Sequence, residues 1–214
     1  MEVKSWHQEA IGKRVVDALI KNDFDAIYVA TEKEATDIIM KHVSPESSVG
    51  FGGSMTIKNM GIQDKVQAVG AKVLDHGEVQ NRDEMIAVAK EEMMSDLYLC
   101  SSNAVTLDGA LVNVDMMGNR VAAMSFGPKK VIVVVSVDKV CSDEAAAFER
   151  LKTAAAPLNN KRLERPNLSN PCTKTGVCVN CRSKTRLCRV YSVMRRKPFV
   201  TDMTVIIVGN SCGF

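Results

Sequence analysis

A chain of 214 residues with a net charge of +3, 46% hydrophobic and 25% charged side chains, suffices for one domain with an ordinary apolar core. Its longest apolar run, Val131–Val137, is interrupted by Ser136 and is far too short to cross a bilayer, so no membrane partner is expected. Met1–Ala10 mixes acids, bases and polar groups without an apolar signal region, and the chain reads as cytoplasmic.

Residues 3–21 carry the periodicity of an amphipathic helix, with Trp6, Ala10, Val15, Leu19 and Ile20 on or near one face. Ala26–Ala30 is a short buried strand. Thr31 followed by Glu34 forms a capping box for a helix reaching about His42, which Pro45 ends. Ser48–Phe51 is a second strand, followed by a glycine loop and a helical stretch to about Gly70. Lys72–Asp75 is a third strand, Asn81–Met94 a long helix and Leu97–Cys100 a fourth strand. Two apolar runs, Ala110–Val114 and Arg120–Met124, flank a Gly/Asn turn at 116–119 and suggest a hairpin. Val131–Ser136 is the most hydrophobic strand, Ser142–Ala155 a helix and Thr204–Gly209 the last strand. The expected fold is therefore α/β, a mainly parallel sheet flanked by helices with an added antiparallel hairpin. We read residues 1–214 as a single domain with an insertion at about 156–200.

Four cysteines fall within that insertion: Cys172, Cys178, Cys181 and Cys188. Four thiolates on so short a segment are a ligand set for zinc or for an iron–sulfur cluster of the 4Fe–4S type. A disulfide framework is the competing reading, and nothing marks the chain as secreted. Residues 172–197 hold eight lysines and arginines and no acid, which suits an anionic centre and leaves the rest of the chain net acidic. With few aromatics and no nucleic-acid-binding motif in this basic stretch, nucleic acid is not an expected partner.

Gly50–Thr56 lies directly after a strand and before a helix, where glycines let a backbone approach an anionic ligand. Gly52, Gly53, Ser54 and Thr56 are the binding candidates there; the loop lacks the lysine of a nucleotide-binding P-loop. Asn103, Thr106 and Asp108, at the end of the fourth strand, face the same crevice in an open α/β sheet. Asp108 is the candidate general base, although all three also suit a plain turn. Arg120 and Arg162 are candidate anion clamps. His76 reads more readily as a solvated loop histidine than as an acid–base group, and Cys100 as a buried, inert thiol.

Taken together, Val49–Thr56, Asn103–Val114, Gly118–Ala122, Gly127–Val135 and Ala156–Leu163 make the chain resemble the lactate-utilisation (LUD-domain) family over nearly its whole length. The resemblance implies the fold shared by ribose-5-phosphate isomerase, glucosamine-6-phosphate deaminase and the CoA transferases. It also implies lactate oxidation beside iron–sulfur partner proteins, which favours a 4Fe–4S cluster. The four-cysteine segment marks a shorter subgroup, distinct from the lactate-utilisation subunit itself. Two readings follow. One is an enzyme, or enzyme subunit, that handles a small hydroxy acid or phosphorylated sugar. The other is a non-catalytic module that binds a metabolite or docks a partner and holds a structural zinc. A homodimer is expected in either case.

Overall fold

The computed structural model describes residues 2–214. Its first half alternates as expected: α1 (Val3–Lys21), β1 (Asp25–Val29), α2 (Glu32–Met40), β2 (Ser48–Phe51), α3 (Met55–Asn59), α4 (Ile62–Val69), β3 (Lys72–Leu74), α5 (Arg82–Glu92) and β4 (Leu97–Cys100). Thr31 caps α2 in a complete capping box with Glu34. The second half holds β5 (Ala104–Thr106), β6 (Leu111–Asp115), α6 (Asn119–Ser125), β7 (Lys130–Ser136), β8 (Val140–Cys141), α7 (Glu144–Arg150), α8 (Ala156–Arg162), α9 (Cys172–Thr175), β9 (Val190–Met194) and β10 (Asp202–Val208).

Six strands form a wholly parallel sheet in the order β1-β10-β7-β4-β2-β3. Parallel strands buried on both faces need apolar residues at successive positions. In β7, Val131, Val133 and Val135 pack with Val15 and Leu19 of α1 and Met124 of α6 on one face. Ile132 and Val134 pack with Ile39, Ile57, Ile62 and Val66 of α2, α3 and α4 on the other. Trp6 and Ile20 of α1 point outward, so the buried stripe of that helix is narrower than its apolar content suggests.

A second, mixed sheet runs β8-β5-β6-β9, with Ala147 of α7 and Leu151 just after it packed on it. Here the sequence reading needs three corrections. The hairpin exists, but β5 and β6 form it, with Ala104 opposite Val112. Arg120–Met124 is helical, because the carboxylate of Asp115 accepts the Val121 backbone N–H at 2.9 Å and starts α6. The helix expected to stop at Ala155 continues through a wide π-type turn at Leu151–Ala155 into α8, and Pro157, which has no N–H to give a helical ladder, follows just after that turn. Within residues 156–200 the chain thus forms α8 at the start and, near the end, the unforeseen strand β9, paired antiparallel to β6. Among the described residues, no helix is long and apolar enough to cross a membrane.

Candidate functional site

A cleft of about 170 Å³ opens at the carboxyl ends of the parallel strands, where ligands of open α/β sheets bind. Gly52, Gly53, Ser54 and Thr56 after β2 form one wall, and Ser101–Asn103 after β4 another. His76 after β3, Lys139 after β7, Arg120 of α6 and Arg162 of α8 complete it. Gly52 is required by close approach: a Cβ there would lie 2.7 Å from Tyr98 Oη and 2.9 Å from Cys100 Cβ, both on fully buried residues. Gly53 adopts φ +64°, a conformation that L side chains rarely tolerate.

Two candidates lie elsewhere. The Thr106 hydroxyl receives the Ala110 N–H at 2.8 Å and donates to the Asp108 carboxylate, so both residues close the β5–β6 turn. Asp108 is exposed beside Lys13, Arg14 and Lys21 of α1, outside the cleft, and the turn reading replaces its assignment as general base.

Arg120 is in the cleft but already engaged. It is buried, and its guanidinium donates to Asp115 Oδ1 (3.1 and 2.7 Å), Asn113 Oδ1 (2.5 Å), Asn103 Oδ1 (2.8 Å) and the Ser101 carbonyl (2.6 Å). A guanidinium forked over fixed acceptors shapes the wall that carries Ser101 and Asn103, leaving little donor capacity for a ligand.

His76 is no solvated loop residue. Its Nδ1 lies 2.7 Å from Glu92 Oε1, and its backbone N–H reaches the same oxygen at 2.7 Å. Burial works to lower the His76 pKa, but the hydrogen bond and charge of Glu92, aided by Asp75 and Asp115, outweigh it and the net shift is upward. The Nε2 edge faces the glycine loop, 3.7 Å from where a Gly53 Cβ would stand.

Lys139 is almost wholly enclosed, and its Nζ donates to Thr56 Oγ1 (2.9 Å) and Ser101 Oγ (3.1 Å). Burial brings its pKa down to about 8; Cys212 opposes the shift, and Arg150 and Arg120 reinforce it. Asp115 is the one side-chain carboxylate among the cleft's lining residues, and Arg120 holds it, so Lys139 and Arg162 give the side chains of the cleft a net positive character.

Cys172, Cys178, Cys181 and Cys188 line one small pocket together with Asn160, Asn170, Arg186 and Leu187, and no acid joins them. The Asn180 backbone N–H points at Cys178 Sγ at 3.3 Å, a donor that suits a thiolate. Among the described residues, the one trio of His, Cys, Asp or Glu ligand atoms within 4.8 Å of one another is Asp75, His76 and Glu92, so the four sulfurs are more widely spread. Cys188, Leu187, Ala156 and Asn160 line this pocket and the cleft alike.

A family model described as the LUD domain matches residues 12–208. The chain belongs to the LUD-domain family. Among solved structures, this LUD domain is similar to a duf162 family protein from Deinococcus radiodurans, with 15% identity and a TM-score of 0.52 over 94% of this chain and 98% of that one. That likeness concerns the fold. A weaker likeness, to eIF2B beta from Chaetomium thermophilum, has 14% identity and a TM-score of 0.36 over 52% of this chain and 43% of that one, too low to carry an argument. No curated protein matches.

In this LUD domain, sequence reasoning missed Lys139, Glu92 and the role of His76. The one available signal was position: His76 and Lys139 each follow a strand of the parallel sheet at its carboxyl end. Nothing local marks Glu92, which lies in the last turn of α5 and meets His76 only through tertiary packing.

Proposed function

We propose that this LUD domain is an enzyme or enzyme subunit handling a small anionic metabolite, of the hydroxy-acid or phosphorylated-sugar class, in the cleft. Cys172, Cys178, Cys181 and Cys188 would hold a 4Fe–4S cluster at the cleft's edge. The observation that supports this best is that Cys188 lines both the four-cysteine pocket and the cleft, which makes the two sites adjoin. The net cationic lining supports an anionic ligand, and the volume suits a molecule of a few carbons, well below the usual drug-sized pocket.

The donor set fits a metal centre: four thiols, a backbone N–H aimed at one sulfur, Arg186 alongside and no competing carboxylate. Four thiolates suit either a tetrahedral zinc or a cluster. The reading as a cluster rests on the iron–sulfur setting that the resemblance to the LUD-domain family implies. When bound, such a cluster supplies a one-electron store beside the cleft. Lys184, Arg186 and Arg189 on the same segment would meet an acidic iron–sulfur partner protein.

The test is anaerobic purification with iron, sulfide and zinc analysis and an absorbance spectrum, followed by thermal-shift measurements with lactate, pyruvate and ribose 5-phosphate. Iron and sulfide with a visible band that bleaches on reduction, together with a shift by one of these anions, is the expected result. A colourless protein with one zinc per chain overturns the electron-transfer role and favours the structural-zinc reading. No shift with any anion overturns the cleft assignment.

A further inference from the structure

Lys139 stands apart from the other cations of the cleft. It is 2% exposed, and its two hydrogen-bond partners, the hydroxyls of Thr56 and Ser101, are neutral. A buried ammonium that matters only for stability is normally paired with a carboxylate, because an uncompensated buried charge is costly. The charged and titratable groups that bear on Lys139 are Cys212, Arg150, Arg120 and Asp138. Cys212 is a buried thiol pushed up to about 11, mainly by burial, and so stays neutral near pH 7. Two of the remaining three are cations. Desolvation next to other cations is the setting that turns a lysine from a surface charge into an amine nucleophile.

The geometry agrees. The hydroxyls of Thr56 and Ser101 fix Nζ at the wall of a cleft too small for a large ligand. His76, backed by Glu92, lines the same cleft and can give or take a proton at Nε2. Arg162 of α8 lines the same cleft; Nε and Nη2 donate to Asn159 Oδ1 (3.1 and 2.8 Å), and its remaining N–H groups can meet a carboxylate.

We propose that Lys139 is a nucleophile that condenses with the carbonyl of a small 2-oxo acid to form a Schiff base. This rests on the reading of the cleft as a small-anion site. The neutral amine attacks the carbonyl carbon, the C=O π pair moves to oxygen, and an N–H proton passes to that oxygen to give a carbinolamine. The C–O bond then breaks as the His76 imidazolium donates a proton, water leaves, and a protonated C=N bond to Nζ remains. No oxidant or reductant is needed.

The experiment is to incubate the anaerobically purified protein with pyruvate and sodium cyanoborohydride and map the adduct by peptide mass. A mass increase of one pyruvate less one oxygen, concentrated on Lys139 and lost in Lys139→Arg, is the expected result. Absence of an adduct, or labelling spread equally over surface lysines and unchanged in Lys139→Arg, overturns the proposal. Thermal shift by pyruvate, recorded on the same sample before reduction, separates the two levels. A shift without an adduct removes the Schiff base and leaves the small-anion reading standing, whereas neither shift nor adduct removes both for this ligand class.

Discussion

Glu92, 1% exposed at the end of α5, holds His76 by two bonds at once: Oε1 lies 2.7 Å from the ring Nδ1 and 2.7 Å from the backbone N–H. One carboxylate therefore fixes both the ring orientation and the path of the loop that carries it. The His76 pKa is raised, so the imidazolium–carboxylate pair stabilises the fold most fully below the unfolded histidine value of about 6.5 and loses that contribution as pH rises through the folded value. Burial pushes the Glu92 carboxyl up against the pull of His76, which offsets part of the pair's gain, so Glu92→Gln should lower stability by about 1–3 kcal/mol near pH 6, with a smaller gap at pH 9. Urea unfolding at the two pH values and an NMR titration of His76, whose pKa should drop in the variant, check this. An unchanged titration would remove Glu92 from its positioning role.

Lys139 predicts the opposite sign. Its folded pKa of about 8 lies below the model-peptide value of 10.5, so between these values the unfolded chain binds more protons than the folded one. Stability from this site therefore rises with pH across that window. At pH 7 the buried ammonium costs about 3 kcal/mol, and Lys139→Met should be more stable than the parent by a margin of that order. The margin should shrink toward pH 10. Paired denaturation curves across pH 7–10 would show it, and a destabilised variant at pH 7 would contradict the assignment.

Gly52→Ala should damage the cleft without unfolding the sheet. The added methyl would meet Tyr98 Oη at 2.7 Å and Cys100 Cβ at 2.9 Å, and both neighbours are locked in the core. Overpacking of this kind costs about 1–3 kcal/mol. We expect a lowered melting temperature together with loss of any ligand-induced thermal shift. Retention of that shift would show that the loop after β2 does not shape the site.

Cysteine replacements should divide by location. Cys188→Ser should abolish bound metal and disturb ligand binding, because Leu187 and Cys188 line the cleft. Cys100→Ser should leave metal content unchanged: Cys100 is fully buried in β4, its pKa pushed up to about 12 chiefly by burial. Metal analysis of the two variants, purified side by side without oxygen, distinguishes them. Equal metal loss in both would break the assignment of the ligand set.

Signals carried by neighbouring residues were legible in the sequence. The bounds of α1, β2 and β4, and the Thr31–Glu34 capping box, rest on local periodicity and on two side chains three residues apart. The segment Arg120–Met124 was not legible, because five residues are too few to tell a strand from one helical turn. What decides the matter is Asp115, whose carboxylate receives the N–H of Val121 from beyond the turn. Strand β9 was hidden because the cysteines on its flank drew the whole segment into a metal loop; its pairing with β6 joins residues far apart in the chain. In the site, the glycine loop showed itself through composition. Lys139 meets Thr56 across 83 positions of sequence, and no short-range pattern encodes that meeting. Asp108 was misassigned for a related reason: a carboxylate at a strand end looks the same whether it faces a ligand or, as here, a threonine two residues back.

The strand order also bears on how the chain emerges during synthesis. Strand β1 has a single neighbour, β10, and β10 in turn joins it to β7. Strand β1 must therefore wait, with both edges unpaired, until the cysteine segment and β10 have followed it. Non-local parallel pairing of this kind is slow and leaves unpaired edges exposed to other chains. The last strand acts as a keystone, and its arrival joins the beginning of the chain to the rest of the domain.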